Sequence, residues 1–190
     1  MKVKDEHKRL RIIEKSMDLV YTQGIAGVKM AQLAKLVGIS PSTLYVYFKS
    51  KEELLHSIYS ELMNKDLDSS PITEEIDLPF KLKLKKMWLQ WTNFAINNAK
   101  EMNFITQFKQ SPYYEKLPEE VRDKNKQMVK DMFNDGIQEG LIKDLPFDIL
   151  TAVMLGMMQQ TVQLVLSKKM TLNQENADLM FSITWDAIKA

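Results

Sequence analysis

Residues 30–51 read MAQLAKLVGISPSTLYVYFKSK, and the fold turns on how this stretch is read. Met30, Leu33, Ala34 and Val37 fall at i, i+3, i+4 and i+7, one apolar face of a helix. Gly38 follows at once, where a helix C-terminus calls for a residue that tolerates positive φ. Ile39 is expected as a buried plug. Ser40 can cap a second helix, and Pro41 suits its first position, where a missing N–H costs nothing. This second helix ends near Phe48, and Leu44 and Phe48, four apart, anchor it inward. Pro41, Ser42, Thr43, Tyr45, Val46 and Tyr47 take its remaining faces. Helix, glycine turn and short helix make a helix-turn-helix, a motif whose second helix enters the DNA major groove. Small hydroxyls and phenols facing outward suit base edges and phosphates. Lys49 and Lys51 follow, placed for backbone phosphates, and Ser50-Lys51-Glu52-Glu53 reads as a capping box opening another helix.

Gly24-Ile25-Ala26-Gly27, then MAQLAKLVGIS, then STLYVYFKSKEELL together resemble, without gaps over roughly residues 8 to 56, the N-terminal domain of the TetR family of transcriptional regulators. The resemblance implies phosphate contacts from Tyr45, Tyr47 and Lys51. It also implies a fourth helix acting as a lever between a ligand site and the DNA-reading helix. One departure is visible. The family usually opens the second helix with Thr or Ser, whereas here Lys29 follows Val28. The cap is lost, but a lysine can still reach a phosphate. Ser42, Thr43 and Val46 are the base-reading candidates, Pro41 can touch a thymine methyl, and Lys49 adds a phosphate contact. No arginine lies on the reading helix, so specificity leans on hydroxyls, apolar contacts and DNA shape.

The chain has 190 residues, 45% hydrophobic and 27% charged, which excludes a disordered chain and fits one or two globular domains. It has no cysteine, so neither a disulfide framework nor a thiolate metal site is expected. No apolar N-terminal run marks a signal peptide. The long apolar stretch from Ile149 to Leu166 is interrupted by Gly156, Gln159, Gln160 and Gln163, poor for a membrane span. A cytoplasmic location without membrane contact is therefore expected. The net charge of +1 hides an asymmetry: residues 1–51 hold ten Lys/Arg against four Asp/Glu, and the rest sixteen against twenty-one. A basic head on an acidic body fits a polyanion-binding end.

Lys2, Lys4 and Lys8 can form a basic arm. A first helix is expected from about Asp5 to Gln23, buried through Leu10, Ile13, Met17 and Val20 and ended by Gly24. The fourth is expected from Lys51 to about Asp66, and residues 67–79 read as a connector. Helices then follow at about 80–99, 101–110, 118–139, 146–167 and 173–189, with Thr171-x-x-Gln174 as a capping box for the last. No segment shows sustained period-two alternation, so the fold class is all-α with about nine helices. Residues 1–50 form the DNA-binding head and 51–190 the effector-binding and dimerisation body.

The last two helices are the expected homodimer surface. Ala177, Met180, Phe181, Thr184, Trp185 and Ile188 form one stripe, and the helix before is apolar nearly all round, more than one chain of this size can cover. The body is rich in Met and aromatics, which suits a small-molecule pocket: Trp88, Trp91, Phe94, Phe104, Phe108, Met128 and Met132, with Gln159 and Gln163 as polar partners and Asn93, Asn97 and Gln107 as further ones. The same residues at helical spacing also describe an ordinary core. No catalytic constellation, metal-ligand spacing or cofactor motif assembles, and His7 and His56 stand alone. The sequence thus reads as a non-enzymatic regulator, released from a palindromic operator by an apolar or amphipathic effector. Two alternatives stay open: a family member that activates or needs no ligand, and a helical lipophile- or partner-binding protein that no longer uses DNA.

Overall fold

The computed structural model describes residues 5–68 and 78–190. Lys2 and Lys4 of the expected arm, and most of the expected 67–79 connector, lie outside the described residues. Among these there are nine helices and no strand: α1 (Glu6–Gly27), α2 (Met30–Val37), α3 (Pro41–Tyr47), α4 (Lys51–Asp68), α5 (Phe80–Asn97), α6 (Ala99–Lys109), α7 (Glu119–Gln138), α8 (Phe147–Leu166) and α9 (Gln174–Ile188). The all-α class expected from the sequence is the class observed.

The helices gather into two compact units. One holds α1–α4, α6 and the turn that runs on to Arg122; the other holds α5, most of α7, α8 and α9. The compact unit carrying the helix-turn-helix therefore extends well past residue 50.

In the first unit, α1 buries Ile12, Ile13, Ser16, Leu19 and Val20. Small Ser16 takes the centre of this stripe, its hydroxyl returned to the Ile12 carbonyl at 2.6 Å. The buried face is thereby turned away from Leu10, which is 47% exposed rather than buried. The helix breaks at Gly24 (φ 72°, ψ 163°), a backbone state open in practice to glycine alone. A break strands backbone groups on both sides, and a side chain from α6 pairs them. Gln107 accepts from the Ile25 N–H at 3.0 Å and donates to the Val20 carbonyl at 3.3 Å. Asn103, one turn back, takes its second amide proton at 2.8 Å. Gln107 is thus committed to the backbone of α1, not to the effector role expected for it.

Arg9 and Arg11, also on α1, stitch the unit together. Arg9 pairs with Glu61, donates to Ser57 Oγ at 2.9 Å and lies 5.9 Å from the Phe48 ring centre. Arg11 donates to the Val37 carbonyl at 3.2 Å and so closes the end of α2. On α4, Leu54, Leu55, Ile58 and Tyr59 are buried, and Tyr59 packs at 4.9 Å on Phe108 of α6.

The second unit has one apolar core of Leu84, Met87, Trp88, Phe133, Leu150, Met154, Phe181 and neighbours. Gly136 on α7 sits against the Phe80 ring, where a Cβ would lie 2.5 Å from its Cζ. The N-terminus of α9 is capped by Asn173, which accepts from the Asn176 N–H at 2.9 Å, and not by Thr171, whose carbonyl instead takes the Asn176 amide at 2.8 Å. Of the α9 stripe expected at a dimer surface, Ala177, Phe181, Thr184 and Ile188 are buried within this chain. That stripe closes the unit's own core. The outward face of α9 carries Leu179 and Ile183 instead, 54% and 46% exposed. On α8, Ile149, Leu155 and Leu166 are exposed, as are Gly156, Gln159 and Gln163 at the same 3–4 spacing. Among the described residues α8 is the one helix long and apolar enough to cross a membrane.

The Gly24 break yields a prediction. Gln107→Ala leaves the Ile25 N–H and Val20 carbonyl without their partner and should destabilise the fold by about 1–3 kcal/mol. Gly24→Ala forces a side chain into a glycine-only region and should cost about as much. Urea unfolding of each variant, read by tryptophan fluorescence, measures both.

Candidate nucleic-acid interface

The two helices that would meet DNA are built as their residues dictate. α2 buries Leu33, Ala34 and Val37 and ends at Gly38 in the left-handed conformation (φ 76°, ψ 36°). The Gly38 N–H returns to the Lys35 carbonyl at 3.2 Å and the Ile39 N–H to the Ala34 carbonyl at 3.0 Å, the paired closure of a Schellman turn. Ile39 is only half-buried, so its backbone bond, more than a buried side chain, fixes the turn. The start of α2 has no side-chain cap, because Lys29 stands there, exposed.

α3 starts on Ser40, whose Oγ accepts from the Thr43 N–H at 3.1 Å. The same oxygen lies 2.8 Å from Ser42 Oγ and 2.8 Å from Thr43 Oγ1. Three hydroxyls therefore satisfy one another at the N-terminus of the reading helix. Pro41, Ser42, Tyr45 and Val46 are exposed, with Tyr45 at 48% and Val46 at 63%, and Thr43 is half-exposed. Tyr47 departs from the expected outward set: it is 9% exposed. Spacing explains this, since residues 44, 47 and 48 lie at i, i+3 and i+4 and share one face. Leu44 and Phe48 are buried, and Tyr47 goes in with them. One of the two phenols thus stands on the outward surface.

α4 opens as the capping box predicts, with one shift. The Glu53 N–H donates to Ser50 Oγ at 3.0 Å, and the Glu53 carboxylate accepts from the Lys49 N–H at 2.7 Å, one residue before the cap. This fixes the loop that carries the exposed Lys49. Lys51 is half-buried. Its ammonium donates to the Ala26 carbonyl at 3.3 Å and sits 5.7 Å from the centre of the Tyr113 ring. Burial holds its amine below the ordinary lysine range. Nothing in the sequence links Tyr113 to Lys51. The two meet because the turn after α6 returns to the start of α4, where His56 Nε2 lies 2.9 Å from the Tyr113 carbonyl. A carbonyl only accepts, so the imidazole nitrogen is the donor, and His56 is satisfied structurally.

The residues read as effector-binding divide between the two units. Phe104 and Phe108 are fully buried on α6 in the first, stacked at 5.7 Å. Trp88, Trp91 and Met132 belong to the core of the second. Trp88 is 2% exposed, and its indole N–H finds no acceptor among the described residues. Phe94 and Met128 are half-buried, while Asn93, Asn97, Gln159 and Gln163 are exposed.

Comparison with known proteins adds independent findings. Residues 12–58 match the family model of bacterial regulatory proteins, tetR family. Residues 79–189 match the model of the tetracyclin repressor-like C-terminal domain. A fatty acid metabolism regulator protein from Bacillus subtilis is 25% identical over 166 residues, 82% of this chain and 81% of that one. A solved TetR family transcription regulator from Marinobacter aquaeolei has a TM-score of 0.83 at 24% identity, covering 100% of this chain and 99% of its own. FadR from Bacillus subtilis, solved in complex with stearoyl-CoA, has a TM-score of 0.63 at 18% identity, covering 93% and 97%.

The hydroxyl cluster yields a stability prediction. Ser40→Ala removes the α3 cap and should cost about 1 kcal/mol, while Ser40→Asp, which keeps an acceptor, should recover most of it. Urea midpoints at constant m-value separate the two.

Proposed function

The chain belongs to the TetR family of bacterial transcriptional regulators, and on that footing we propose that it is a cytoplasmic, homodimeric, non-enzymatic repressor released from a palindromic operator by an amphipathic effector. The observation that carries the DNA-binding reading is the outward face of α3. Pro41, Ser42, Tyr45 and Val46 are exposed beside half-exposed Thr43, on a helix fixed at both ends, with exposed Lys29 and Lys49 flanking it. Ser42, Thr43 and Val46 face base edges, Pro41 a thymine methyl, and Tyr45, Lys49, Lys51 and Lys29 phosphates. Tyr47 keeps a phosphate role only through the small part of it that remains exposed.

Dimerisation is supported by the outward faces of α8 and α9. Leu155, Gly156 and Leu166 on one and Leu179 and Ile183 on the other continue each helix's 3–4 spacing, and Gly156 has open space where a Cβ would stand. A second copy across these faces would make a four-helix bundle. The paired reading helices would then meet half-sites about one helical turn apart, roughly 34–36 Å. The effector would shift a pre-existing balance between head spacings that fit DNA and those that do not.

The effector reading rests on the Met- and aromatic-rich second unit with Trp88, Trp91, Phe94, Met128 and Met132; Phe104 and Phe108, fully buried on α6, belong to the core of the first unit instead. The unpaired indole N–H of Trp88 favours a guest carrying a hydrogen-bond acceptor. Among relatives, the stearoyl-CoA bound to FadR points to a long-chain acyl thioester. Exposed Gln159 and Gln163 fit the dimer face better than a pocket wall.

Selection of duplexes from a random pool tests the DNA reading: a lipophile carrier would enrich nothing. On the selected operator, Tyr45→Ala should weaken binding to every sequence alike at an unchanged slope of log affinity against log salt, whereas Lys49→Ala should also lower that slope, by about 0.9 for the phosphate it ceases to neutralise. Thr43→Ala should instead change sequence preference, and equal weakening on operator and scrambled DNA would contradict its base-reading role. Leu155→Glu should convert a dimer at micromolar concentration to a monomer in equilibrium sedimentation. A thermal-shift series of acyl-CoA chain lengths should raise Tm with chain length; stabilisation by compact sugars or metal ions alone would overturn the effector assignment.

A further inference from the structure

We propose that Tyr113 is a positioning residue for DNA contact: its ring, on the turn that follows α6, holds the Lys51 ammonium where a phosphate can meet it. The inference rests on the reading of Lys51 as a phosphate contact.

A lysine side chain is long and loses much rotamer freedom when fixed, so a lysine already held in place binds an anion better than a free one. Lys51 is held on two sides. One ammonium proton goes to the Ala26 carbonyl at 3.3 Å, and the Tyr113 ring centre lies 5.7 Å away, inside the range of a cation–π attraction. An ammonium has three donors, so this leaves capacity for an anion. Neither partner is acidic, and the positive charge stays uncompensated.

The ring is itself fixed, by contacts that do not pass through Lys51. The Tyr113 carbonyl accepts from His56 Nε2 at 2.9 Å. Lys116 lies 5.9 Å from the same ring and pairs with Glu52 at 2.7 Å. Tyr114, next in the chain, sets its ring edge against Tyr59 at 5.8 Å and Phe108 at 6.0 Å. The turn is thus tied to α4 through Tyr113, Tyr114 and Lys116. All these residues lie in one compact unit with α3. A residue of the C-terminal half of the sequence thereby enters the DNA-contact apparatus, which the helix-turn-helix alone would not suggest.

The test is a double-mutant cycle on a random-sequence duplex, which reports phosphate contacts without base readout. Lys51→Ala should weaken binding and lower the salt slope. Tyr113→Leu should weaken binding about two- to fivefold when Lys51 is present and have no further effect on Lys51→Ala. Tyr113→Phe, which keeps the ring, should bind as wild type. Tyr113 is half-exposed and its His56 bond is made by backbone, so the Leu variant should unfold at the wild-type urea midpoint. Equal weakening by Tyr113→Leu in both Lys51 backgrounds, or none in either, overturns the positioning role while leaving the Lys51 contact intact. A Lys51→Ala variant with unchanged affinity and slope overturns the reading of Lys51 itself.

Discussion

Two backbone groups at the Gly24 break must be paired, and Gln107 pairs both of them. This constraint organises the first unit. Without the break, α1 would run straight on and the chain could not turn into α2. With it, the Ile25 N–H and Val20 carbonyl need partners, and the side-chain amide of Gln107 supplies an acceptor and a donor together. Because that amide sits on α6, the helix-turn-helix folds as one body with a segment from far along the chain. The ion pair of Asp18 with Lys100 and the tilted packing of Phe108 on Tyr59 lie along the same seam.

This arrangement gives physical content to the idea of a lever. α6 touches α1 through Gln107 and α4 through Phe108, and the turn after it touches the start of α4 through Tyr113 and Lys116. Any displacement of α6 within this unit would therefore be felt at α1 and α4 by three routes. These contacts are a mix of hydrogen bonds, packed rings and one exposed ion pair. The last contributes little, since its partners are solvated, whereas the bonds of Gln107 and His56 are directional and fix orientation as well as distance.

Features of the fold are legible in the sequence wherever their cause is local. The Gly38 turn, the Ser40 cap with Pro41 behind it, the uncapped Lys29 and the positions of the body helices all follow from residues within a turn of one another. Expectation and structure part where partners are distant or where one face must be chosen among several. Phenols suit phosphates, which points Tyr47 outward, but its spacing from Leu44 turns it inward. Leu10 is apolar, which points it to the core, but Ser16 centres the stripe elsewhere. On α9 the periodic stripe is legible, yet periodicity cannot say whether a face meets its own chain or another; here it meets its own core, leaving Leu179 and Ile183 outward. The roles of Gln107 and Tyr113 leave no signal at all, because their partners lie far away in sequence.

The trio of hydroxyls at the head of α3 has a further consequence. Ser40, Ser42 and Thr43 each carry a proton on a freely turning bond, and in this structure two of the three protons are spent within the cluster. Such a group can present itself as giver or taker with equal ease, in contrast to the rigid fork of an arginine. A surface of this kind tolerates several chemical neighbours at nearly equal energy.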